Sequence, residues 1–338
     1  MQRSEDALMQ AVVCRALGPP EALVVTDVPE PVAGAGEALI DVHAAGLNFP
    51  DALLVQGLYQ IRPPLPFTPG VEAAGVVRAV GDGVRDLRPG DRVIAPTNGG
   101  GAFAERAVVN AALAVTLPPA VDMLTGAGLM TTYGTAYHAL ADRARLRPGE
   151  WVFVTGAGGG VGTAATALAK ALGAHVVAAA TSGAKRDAAR DAGADVVLDA
   201  AASDLADTLK RTGDGGVDVV VDNVGGAQFD AALRGARREA RILIVGFTSA
   251  TIPQIPANRI LLKELDVRGI FWGAWAARNP QRNRDNLAAV FELIARGTLQ
   301  PRVAATYALA DAPDAIRDLM ERRIVGKAAI VMPACERR

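Results

Sequence analysis

A glycine-rich turn near the middle of the chain has the residue types and spacing of a phosphate-binding site. The segment TGAGGGVG at 155–162 stands between the apolar run WVFV and the alanine-rich run TAATALAKAL. The motif is formed by Gly156, Gly159 and Gly162, or equally by Ala157, Gly159 and Gly162. Its glycines allow the backbone to turn tightly and to approach a pyrophosphate, whose charge then faces the N-terminal amides of the next helix. Because the motif follows a strand pattern and precedes a helix pattern, it predicts a dinucleotide site. Its expected ligand-holding residues are Gly158, Gly159, Gly160 and Val161.

The end of the second strand pattern indicates which dinucleotide binds. NAD-binding proteins place an acid there, about 20 residues after the glycines, to bind the ribose 2′-hydroxyl. This chain has Ala180, Thr181 and Ser182, followed by Lys185 and Arg186 at the start of a helix pattern. Small hydroxyls and cations suit a 2′-phosphate, which an acid would repel, so the segment predicts NADPH. The alternative for the two cations is that they are solvated helix charges. The absence of an acid at the strand end is therefore the stronger evidence for NADPH.

Alternating strand and helix patterns predict the sheet that positions the glycine turn. Apolar segments at six places have strand character, and helix-sized segments separate them. This alternation is typical of βαβ units in a parallel sheet covered on both faces. The strand patterns lie at 151–155, 175–179, 195–198, 217–222, 241–245 and 265–269.

Residues 9–120 have the pattern of a β-rich domain. Short β-branched runs, such as GVVRAV at 75–80, alternate with turn signals such as RPGD at 88–91. Strands at this spacing indicate a folded-over barrel rather than a doubly wound sheet. A short helix is expected after Asn48, with proline in its first turn and glycine beyond its end. Strand patterns return after residue 302, so the chain is expected to leave the first domain, build the sheet domain and come back.

Composition excludes several classes of partner and cofactor. The chain has 35 basic and 36 acidic residues, a net charge of −1, which argues against nucleic acid and anionic membranes as partners. No apolar run approaches the 18 residues of a spanning helix, and the first eight residues lack the apolar core of a signal peptide. The two cysteines, Cys14 and Cys335, indicate a reducing, cytoplasmic compartment. Together with three histidines they lack zinc-ligand spacing, so no metal site is expected.

Several motifs resemble those of the quinone oxidoreductase (zeta-crystallin-like) branch of the medium-chain dehydrogenase/reductase superfamily. They are AGLNFPDALLVQGLY at 45–59, FTPGVEAAGVVRAVG at 67–81, GTAYHAL at 134–140, VDVVVDNVGG at 217–226 and VGKAAIV at 325–331. The similarity runs in order from Met9 to about Met332. It implies an α/β protein with a GroES-like β-rich catalytic domain and a Rossmann domain that binds the cofactor on a doubly wound parallel sheet. The expected boundaries are 1–8 for a disordered extension, 9–132 and 274–338 for the catalytic domain, and 133–273 for the Rossmann domain.

The resemblance also bears on metal and assembly. Zinc-dependent relatives carry a catalytic Cys in the segment matching 45–51 and a His in the GHE motif matching 70–72, where this chain has Asn48 and Val71. Their lobe of four zinc-binding cysteines is also absent. The chain is therefore similar to the zinc-free branch, which transfers hydride to quinones and activated enones. The family further implies a homodimer joined near Asp266–Trp272.

The family pattern assigns roles to individual residues. It implies that Asn48 and Thr135 lie near the nicotinamide, with Asp51 close by. Tyr59 would line the substrate pocket and orient a carbonyl or donate a proton, with packing as its alternative. Further cofactor contacts are implied for Asn223, Gly246, Phe247, Phe271, Trp272 and Lys327.

Two of these implications carry their own alternatives. Phe271 and Trp272 fall where the family has a wall beside the nicotinamide, but they would also suit a buried dimer interface. Some NADPH-binding relatives place a Tyr against the 2′-phosphate after the third strand, where this chain has Asp199, Ala200 and Ala201. Lys185 and the hydroxyls of Thr181 and Ser182 are then expected to bear more of that contact.

Three functions fit the sequence. The first is an NADPH-dependent reductase of quinones. The second is a reductase of enones or of enoyl or acryloyl thioesters, in which Arg278, Arg282 and Arg284 meet a carrier phosphate unless they are solvated helix charges. The third is a protein that binds NADPH or RNA without catalysis, and the balanced charge argues against RNA.

Overall fold

The structure is a computed structural model that describes residues 7–97 and 99–333. The chain divides into two compact units. Unit 1 comprises Met1–Thr131, Ala276–Leu287 and Pro301–Arg338, and unit 2 comprises Thr132–Trp275 and Ala288–Gln300. The domain boundaries expected from the sequence stay a prediction.

Strands and helices occur in both units. The strands, in chain order, are β1 (Leu8–Val13), β2 (Val24–Pro29), β3 (Glu37–Leu47), β4 (Glu72–Val80), β5 (Arg92–Pro96), β6 (Arg106–Asn110), β7 (Val115–Thr116), β8 (Trp151–Val154), β9 (His175–Ala180), β10 (Val196–Asp199), β11 (Val217–Asp222), β12 (Ala236–Ile244), β13 (Asp266–Gly269), β14 (Val303–Ala308) and β15 (Lys327–Val331). The helices are α1 (Phe49–Val55), α2 (Met123–Ala127), α3 (Met130–Tyr137), α4 (Gly160–Ala171), α5 (Gly183–Asp191), α6 (Leu205–Lys210), α7 (Gly226–Gly235), α8 (Ala257–Lys263), α9 (Trp272–Arg278), α10 (Pro280–Ala295) and α11 (Ala312–Met320). A π-helical segment, His138–Ala144, follows α3 directly.

The first strand begins earlier than the sequence suggested. Of the expected extension over residues 1–8, residues 1–6 lie outside the described part of the chain. Leu8 pairs with Pro29 and therefore belongs to the sheet formed by β1 and β2. Its side chain is exposed, so backbone pairing rather than burial holds this end of the strand.

Unit 1 is built around a largely antiparallel sheet, which confirms the predicted GroES-like architecture. The strand order is β14-β15-β3-β4-β5-β7, with β6 paired to β3. β14 and β15 run parallel to each other, while β3 pairs antiparallel with β15, β4 and β6. Side chains from several of these strands share one buried cluster, among them Ile40, Val77, Val93 and Ile330. Accessibility alternates from residue to residue in β6 and β14, as expected for strands with one more solvated face.

Unit 2 contains a parallel sheet of the predicted Rossmann type. The strand order is β10-β9-β8-β11-β12-β13. The chain runs outward from β8 to β10 and then returns to place β11 beside β8, so the order reverses between these two strands. Every residue of β11 is buried, as expected for a strand covered on both faces. In open parallel sheets the crevice outside the carboxyl ends at such a reversal is where ligands bind.

The short helix predicted after Asn48 is confirmed. α1 begins at Phe49, has Pro50 in its first turn, and is followed by Gly57 with a φ of +69°. Asn48 is its N-cap residue and Asp51 closes the turn by accepting a hydrogen bond from the Asn48 backbone N–H at 2.8 Å. This hydrogen bond gives a partner to the Asn48 N–H, which has no acceptor within the helix itself.

Among the described helices, none combines the length and apolar character needed to cross a membrane. Cys14 is a buried free thiol, and Cys335 lies outside the described residues.

Candidate active site

The glycine turn of unit 2 is a close-packed strand-to-helix connection. Gly156 has a φ of +60°, which favours glycine. A Cβ on Gly162 would lie 2.2 Å from the Gly156 carbonyl oxygen, and a Cβ on Gly158 would lie 2.4 Å from the Lys185 Cβ. α4 starts at Gly160 with Gly159 as its N-cap, and glycine offers no side chain to the first-turn amides. Those amides are therefore left for an anion, which fits the pyrophosphate predicted from the sequence.

A polar network joins the carboxyl ends of β8 and β11, next to the glycine turn. The Thr155 hydroxyl donates to Asp222 Oδ1 at 2.7 Å and accepts from the Asn223 backbone N–H at 2.9 Å. The Asn223 side-chain amide donates to the Thr155 carbonyl at 2.8 Å. Asn223 Oδ1 is buried and accepts no hydrogen bond from a described residue. An unsatisfied buried acceptor is costly, so this atom is suited to a donor from a ligand.

Asp222 supports the loops around Asn223. Its carboxylate accepts from the Gly225 backbone N–H, and its carbonyl accepts from the Gly246 N–H at 3.2 Å. Burial raises the pKa of Asp222, against the lowering effect of the hydrogen bonds that its carboxylate accepts from the Thr155 hydroxyl and the Gly225 N–H. Phe247, which follows Gly246, is partly exposed and lies against Gly225. Asn223, Gly246 and Phe247 were predicted from the sequence as cofactor contacts, whereas Thr155 and Asp222 were not predicted as part of the site. Each of these two polar residues ends an apolar strand pattern, and that position could have indicated a role at the sheet edge.

The segment expected to select the cofactor lies at the end of β9. Thr181 and Ser182 are exposed, and the Ser182 hydroxyl accepts from the Lys185 backbone N–H at 3.3 Å, capping α5. Arg186 donates to the Thr181 carbonyl at 3.1 Å and to Asp199 Oδ2 at 3.0 Å. Asp199 ends β10 and pairs with Ala180 of β9. The strand end of β9 has no acid of its own, but the pairing of β10 with β9 brings Asp199 to the same end of the sheet.

Thr135 and the two predicted aromatic residues also belong to unit 2. Thr135 is buried on α3, beside Gly134. A Cβ on Gly134 would lie 2.8 Å from the Trp272 indole, so glycine is required for this contact. Trp272 is 7% exposed, whereas Phe271 is 53% exposed. The two side chains therefore do not share one environment: Trp272 packs inside unit 2 and Phe271 faces outward.

A buried ionic cluster lies in unit 1 and brings together Asn48, Glu72 and Lys327. The Lys327 ammonium donates to Glu72 Oε1 at 2.6 Å, to Asn48 Oδ1 at 2.7 Å and to the Leu47 carbonyl at 3.0 Å. Glu72 Oε2 accepts from the Thr131 backbone N–H at 2.7 Å. Glu72 is fully buried and Lys327 is 5% exposed. A buried ion pair of this kind is viable because hydrogen bonds satisfy both charged groups.

The cluster limits what Asn48 can do. Its side-chain amide donates to Glu72 Oε1 at 2.7 Å and to the Gly46 carbonyl at 3.0 Å. A primary amide has two N–H donors. Both are therefore committed inside unit 1, and Asn48 has only acceptor capacity left on Oδ1.

Asp51 and Tyr59 lie beside this cluster. Burial raises the pKa of Asp51 to about 7, although the Asn48 N–H and the Lys327 charge act to lower it. Asp51 Oδ1 accepts no hydrogen bond from a described residue. Tyr59 is half-buried, and burial together with the charge of Asp51 raises the pKa of its hydroxyl. Around neutral pH Asp51 is therefore divided between its protonated and ionised forms, whereas the Tyr59 hydroxyl keeps its proton.

The predicted site residues fall into two groups, one in each unit. Unit 1 holds Asn48, Asp51, Tyr59 and Lys327, and unit 2 holds Thr135, the glycine turn, Thr181, Ser182, Lys185, Asn223, Gly246, Phe247, Phe271 and Trp272. Sequence reasoning missed Glu72, because a lone acid in an apolar strand gave no sign of a lysine 255 positions later.

Two further expectations concern charge and metal. Arg284, one of the three arginines considered for a carrier phosphate, donates to the Ala112 carbonyl at 2.6 Å and to Gln281 Oε1 at 2.8 Å. Within residues 7–97 and 99–333, no group of three or more His, Cys, Asp and Glu side chains is arranged to hold a metal ion.

Comparisons with known proteins agree with this architecture. The family model for the alcohol dehydrogenase GroES-like domain matches residues 34–119, and that for zinc-binding dehydrogenase matches residues 160–294. Quinone oxidoreductase-like protein 2 homolog of Nematostella vectensis is 36% identical over 95% of this chain and 88% of its own length. Quinone oxidoreductase of Rattus norvegicus is 32% identical over 93% of this chain and 94% of its own length.

A solved structure is similar over the same extent. The quinone oxidoreductase of Escherichia coli complexed with NADPH has a TM-score of 0.86 and 29% identity, covering 95% of this chain and 99% of that chain. Since relatives with more than 30% identity span nearly the whole chain, this protein belongs to the quinone oxidoreductase family of the medium-chain dehydrogenase/reductase superfamily.

Proposed function

We propose that this protein is an NADPH-dependent oxidoreductase that reduces quinones without zinc. The observation that carries the proposal is the glycine turn. At Gly158 and Gly162 the neighbouring atoms leave no room for a Cβ, and no side chain caps the first amides of α4. Similarity to a quinone oxidoreductase complexed with NADPH supports the same ligand. When bound, NADPH supplies a hydride to an electron-poor π-system.

The chain's own residues would bind and orient the cofactor. The turn from Gly158 to Val161 suits the pyrophosphate, and Ser182 and Lys185 suit the 2′-phosphate. Asn223 Oδ1, which accepts no hydrogen bond from a described residue, is suited to accept one from a donor group of the cofactor near the carboxyl end of β11. Asn48 contributes an acceptor rather than a donor, since both of its amide hydrogens are engaged.

The direct test is a substrate panel. Quinones, activated enones and enoyl thioesters would be compared with NADPH consumption as the readout. We expect quinones to give the highest kcat/KM. A clear preference for enones or thioesters would replace the proposal with an enoyl reductase, and no turnover with any acceptor would favour a non-enzymatic role.

Tyr59 is expected to matter more for enones than for quinones. A reduced quinone takes its proton readily from solvent, whereas the enolate formed from an enone benefits from a positioned donor, an effect typically worth about 10²–10⁴-fold. We expect Tyr59→Phe to lower kcat with an enone at least about tenfold and to change quinone reduction far less. Tyr307→Phe is the matched control, because its hydroxyl bonds Asp318 elsewhere in unit 1. Equal losses on both acceptors would assign Tyr59 to packing.

Activity is expected to be independent of zinc. The positions matching the catalytic Cys and His segments of zinc-dependent relatives contain Asn48 and Val71, and neither residue type is among the usual zinc ligands of proteins. Chelator treatment should leave kcat unchanged, and elemental analysis should find far less than one zinc per chain. A stoichiometric zinc ion lost together with activity would overturn this part of the proposal.

We further expect a homodimer formed through β13. This strand is at the edge of the parallel sheet, and an edge strand presents backbone groups that can pair with another chain. Light scattering should therefore give about twice the chain mass of 34.9 kDa. A stable monomer at micromolar concentration would contradict the expectation.

A further inference from the structure

An ion pair formed by Arg186 and Asp199 lies beside the segment that is expected to bind the 2′-phosphate. Asp199 is the last residue of β10 and is paired with Ala180, the last residue of β9. Its carboxylate is therefore next to the point where Thr181 and Ser182 leave the sheet. The Asp199 side chain is 50% exposed and that of Arg186 is 27% exposed. Both charges are thus accessible to a ligand.

Arg186 is held in place by hydrogen bonds from only one of its three guanidinium nitrogens. Its Nη1 donates both to the Thr181 carbonyl at 3.1 Å and to Asp199 Oδ2 at 3.0 Å. A guanidinium carries five N–H donors in a fixed fork. Nη2 and Nε donate to no residue of the described ranges, so they can serve an anion. Such a planar fork suits a phosphate through paired hydrogen bonds.

Asp199 has the opposite effect on the same anion. Its Oδ1 accepts from the Ala201 backbone N–H at 2.9 Å, which keeps the carboxylate in place at the strand end. A phosphate that approaches Arg186 must share the guanidinium with this carboxylate. Like charges repel, and half exposure reduces the repulsion through screening without removing it.

We propose that the Arg186–Asp199 pair sets how strongly this protein distinguishes a 2′-phosphorylated adenosine from one with a free 2′-hydroxyl. Arg186 is a phosphate ligand in addition to Lys185, and Asp199 is a selectivity residue that opposes the phosphate while Arg186 masks its charge. The inference rests on the proposed NADPH dependence and deepens it. It predicts opposite effects for the two members of one ion pair, whereas a pair that only ties α5 to β10 would respond in the same direction to either loss.

Binding of 2′,5′-ADP and 5′-AMP tests the inference without turnover. These probes carry the adenosine with and without the 2′-phosphate, and calorimetry gives their dissociation constants directly. We expect Arg186→Ala to weaken 2′,5′-ADP about tenfold or more, because it removes a charge-assisted contact and unmasks the acid. Asp199→Asn should tighten 2′,5′-ADP about threefold, and the gain should shrink with added salt. Binding of 5′-AMP should change less than about twofold in both variants, since the phosphate that both residues address is absent from that probe.

Controls separate charge from folding. Asp195→Asn removes an acid that pairs with Lys170 just before the start of β10, away from Thr181, and should leave both probes unchanged. Arg186→Lys keeps the charge but loses the fork, and should fall between wild type and Arg186→Ala. If both Arg186→Ala and Asp199→Asn weaken 2′,5′-ADP, or if neither changes it, the pair is structural and the inference is wrong.

The proposed function and the inference can fail separately. A wild-type protein that binds 2′,5′-ADP no better than 5′-AMP would overturn the NADPH preference, while a gain in Asp199→Asn would still support the role of the pair. A wild-type protein that prefers 2′,5′-ADP, with variants that do not alter this preference, would overturn the inference alone.

Discussion

Replacing Lys327 with methionine is expected to lower the free energy of unfolding by about 3–5 kcal/mol. The substitution leaves the carboxylate of Glu72 fully buried while removing the ammonium 2.6 Å from its Oε1. An uncompensated buried charge is far more costly than the loss of an exposed ion pair. It also removes the donor to Asn48 Oδ1, which orients the residue that starts α1. Urea denaturation followed by circular dichroism measures the change.

Two variants test whether charge is the cause. Lys170→Met breaks the ion pair with Asp195, in which each side chain is about a third exposed, and should cost no more than about 1 kcal/mol. The double variant Lys327→Met with Glu72→Gln removes both buried charges and should recover much of the stability lost by Lys327→Met alone. If Lys327→Met costs no more than Lys170→Met, or if the double variant is as unstable as the single one, the buried pair does not have this role.

NADPH is expected to be preferred over NADH by at least about tenfold in kcat/KM. A charge-assisted hydrogen bond to the 2′-phosphate is worth roughly 1.5–3 kcal/mol, which corresponds to about ten- to hundredfold in binding. The preference should appear mainly in KM, because the phosphate is far from the hydride and is bound equally in the ground and transition states. Lys185→Ala should weaken NADPH and leave NADH nearly unchanged. Thr181→Asp should go further and favour NADH, because it adds an acid at the strand end.

The structure supports Lys185 as the residue to change. Its Cβ lies where a Cβ on Gly158 would approach within 2.4 Å, so the first turn of α5 packs directly on the glycine turn. Lys210→Ala is the matched control, since Lys210 pairs with Asp207 on an exposed face of α6 in the same unit. Steady-state kinetics with both cofactors measures the effect. Equal use of NADPH and NADH by the wild-type protein, or an equal loss of both in Lys185→Ala, would show the assignment of this segment to be wrong.

Local patterns in the sequence were sufficient to predict the parallel sheet of unit 2, the β-rich character of unit 1 and the glycine turn, whereas the GroES-like architecture was implied by the family resemblance. The turn between β8 and α4 and five of the six strand patterns of unit 2 occur within one residue of the expected positions, whereas β12 begins at Ala236, five residues before the expected start. The reason is physical: residue spacing and glycine conformational freedom act over a few residues, and burial on both faces makes a strand apolar throughout. The same reasoning located α1 with its proline and its terminal glycine.

Contacts between residues distant in the chain were decided by the tertiary structure. Glu72 meets Lys327 because β15 lies beside β3, and β3 beside β4, and no local pattern specifies which strands become neighbours. The same pairing commits both amide hydrogens of Asn48, which limits a role implied by the family pattern. Asp199 reaches Arg186 because β10 pairs with β9. The sequence by itself thus determined where strands, helices and the ligand-binding turn occur. The order of strands in the sheets decided which charged groups face one another. The reason is that side-chain partners depend on distances in space, which residue spacing along the chain does not encode.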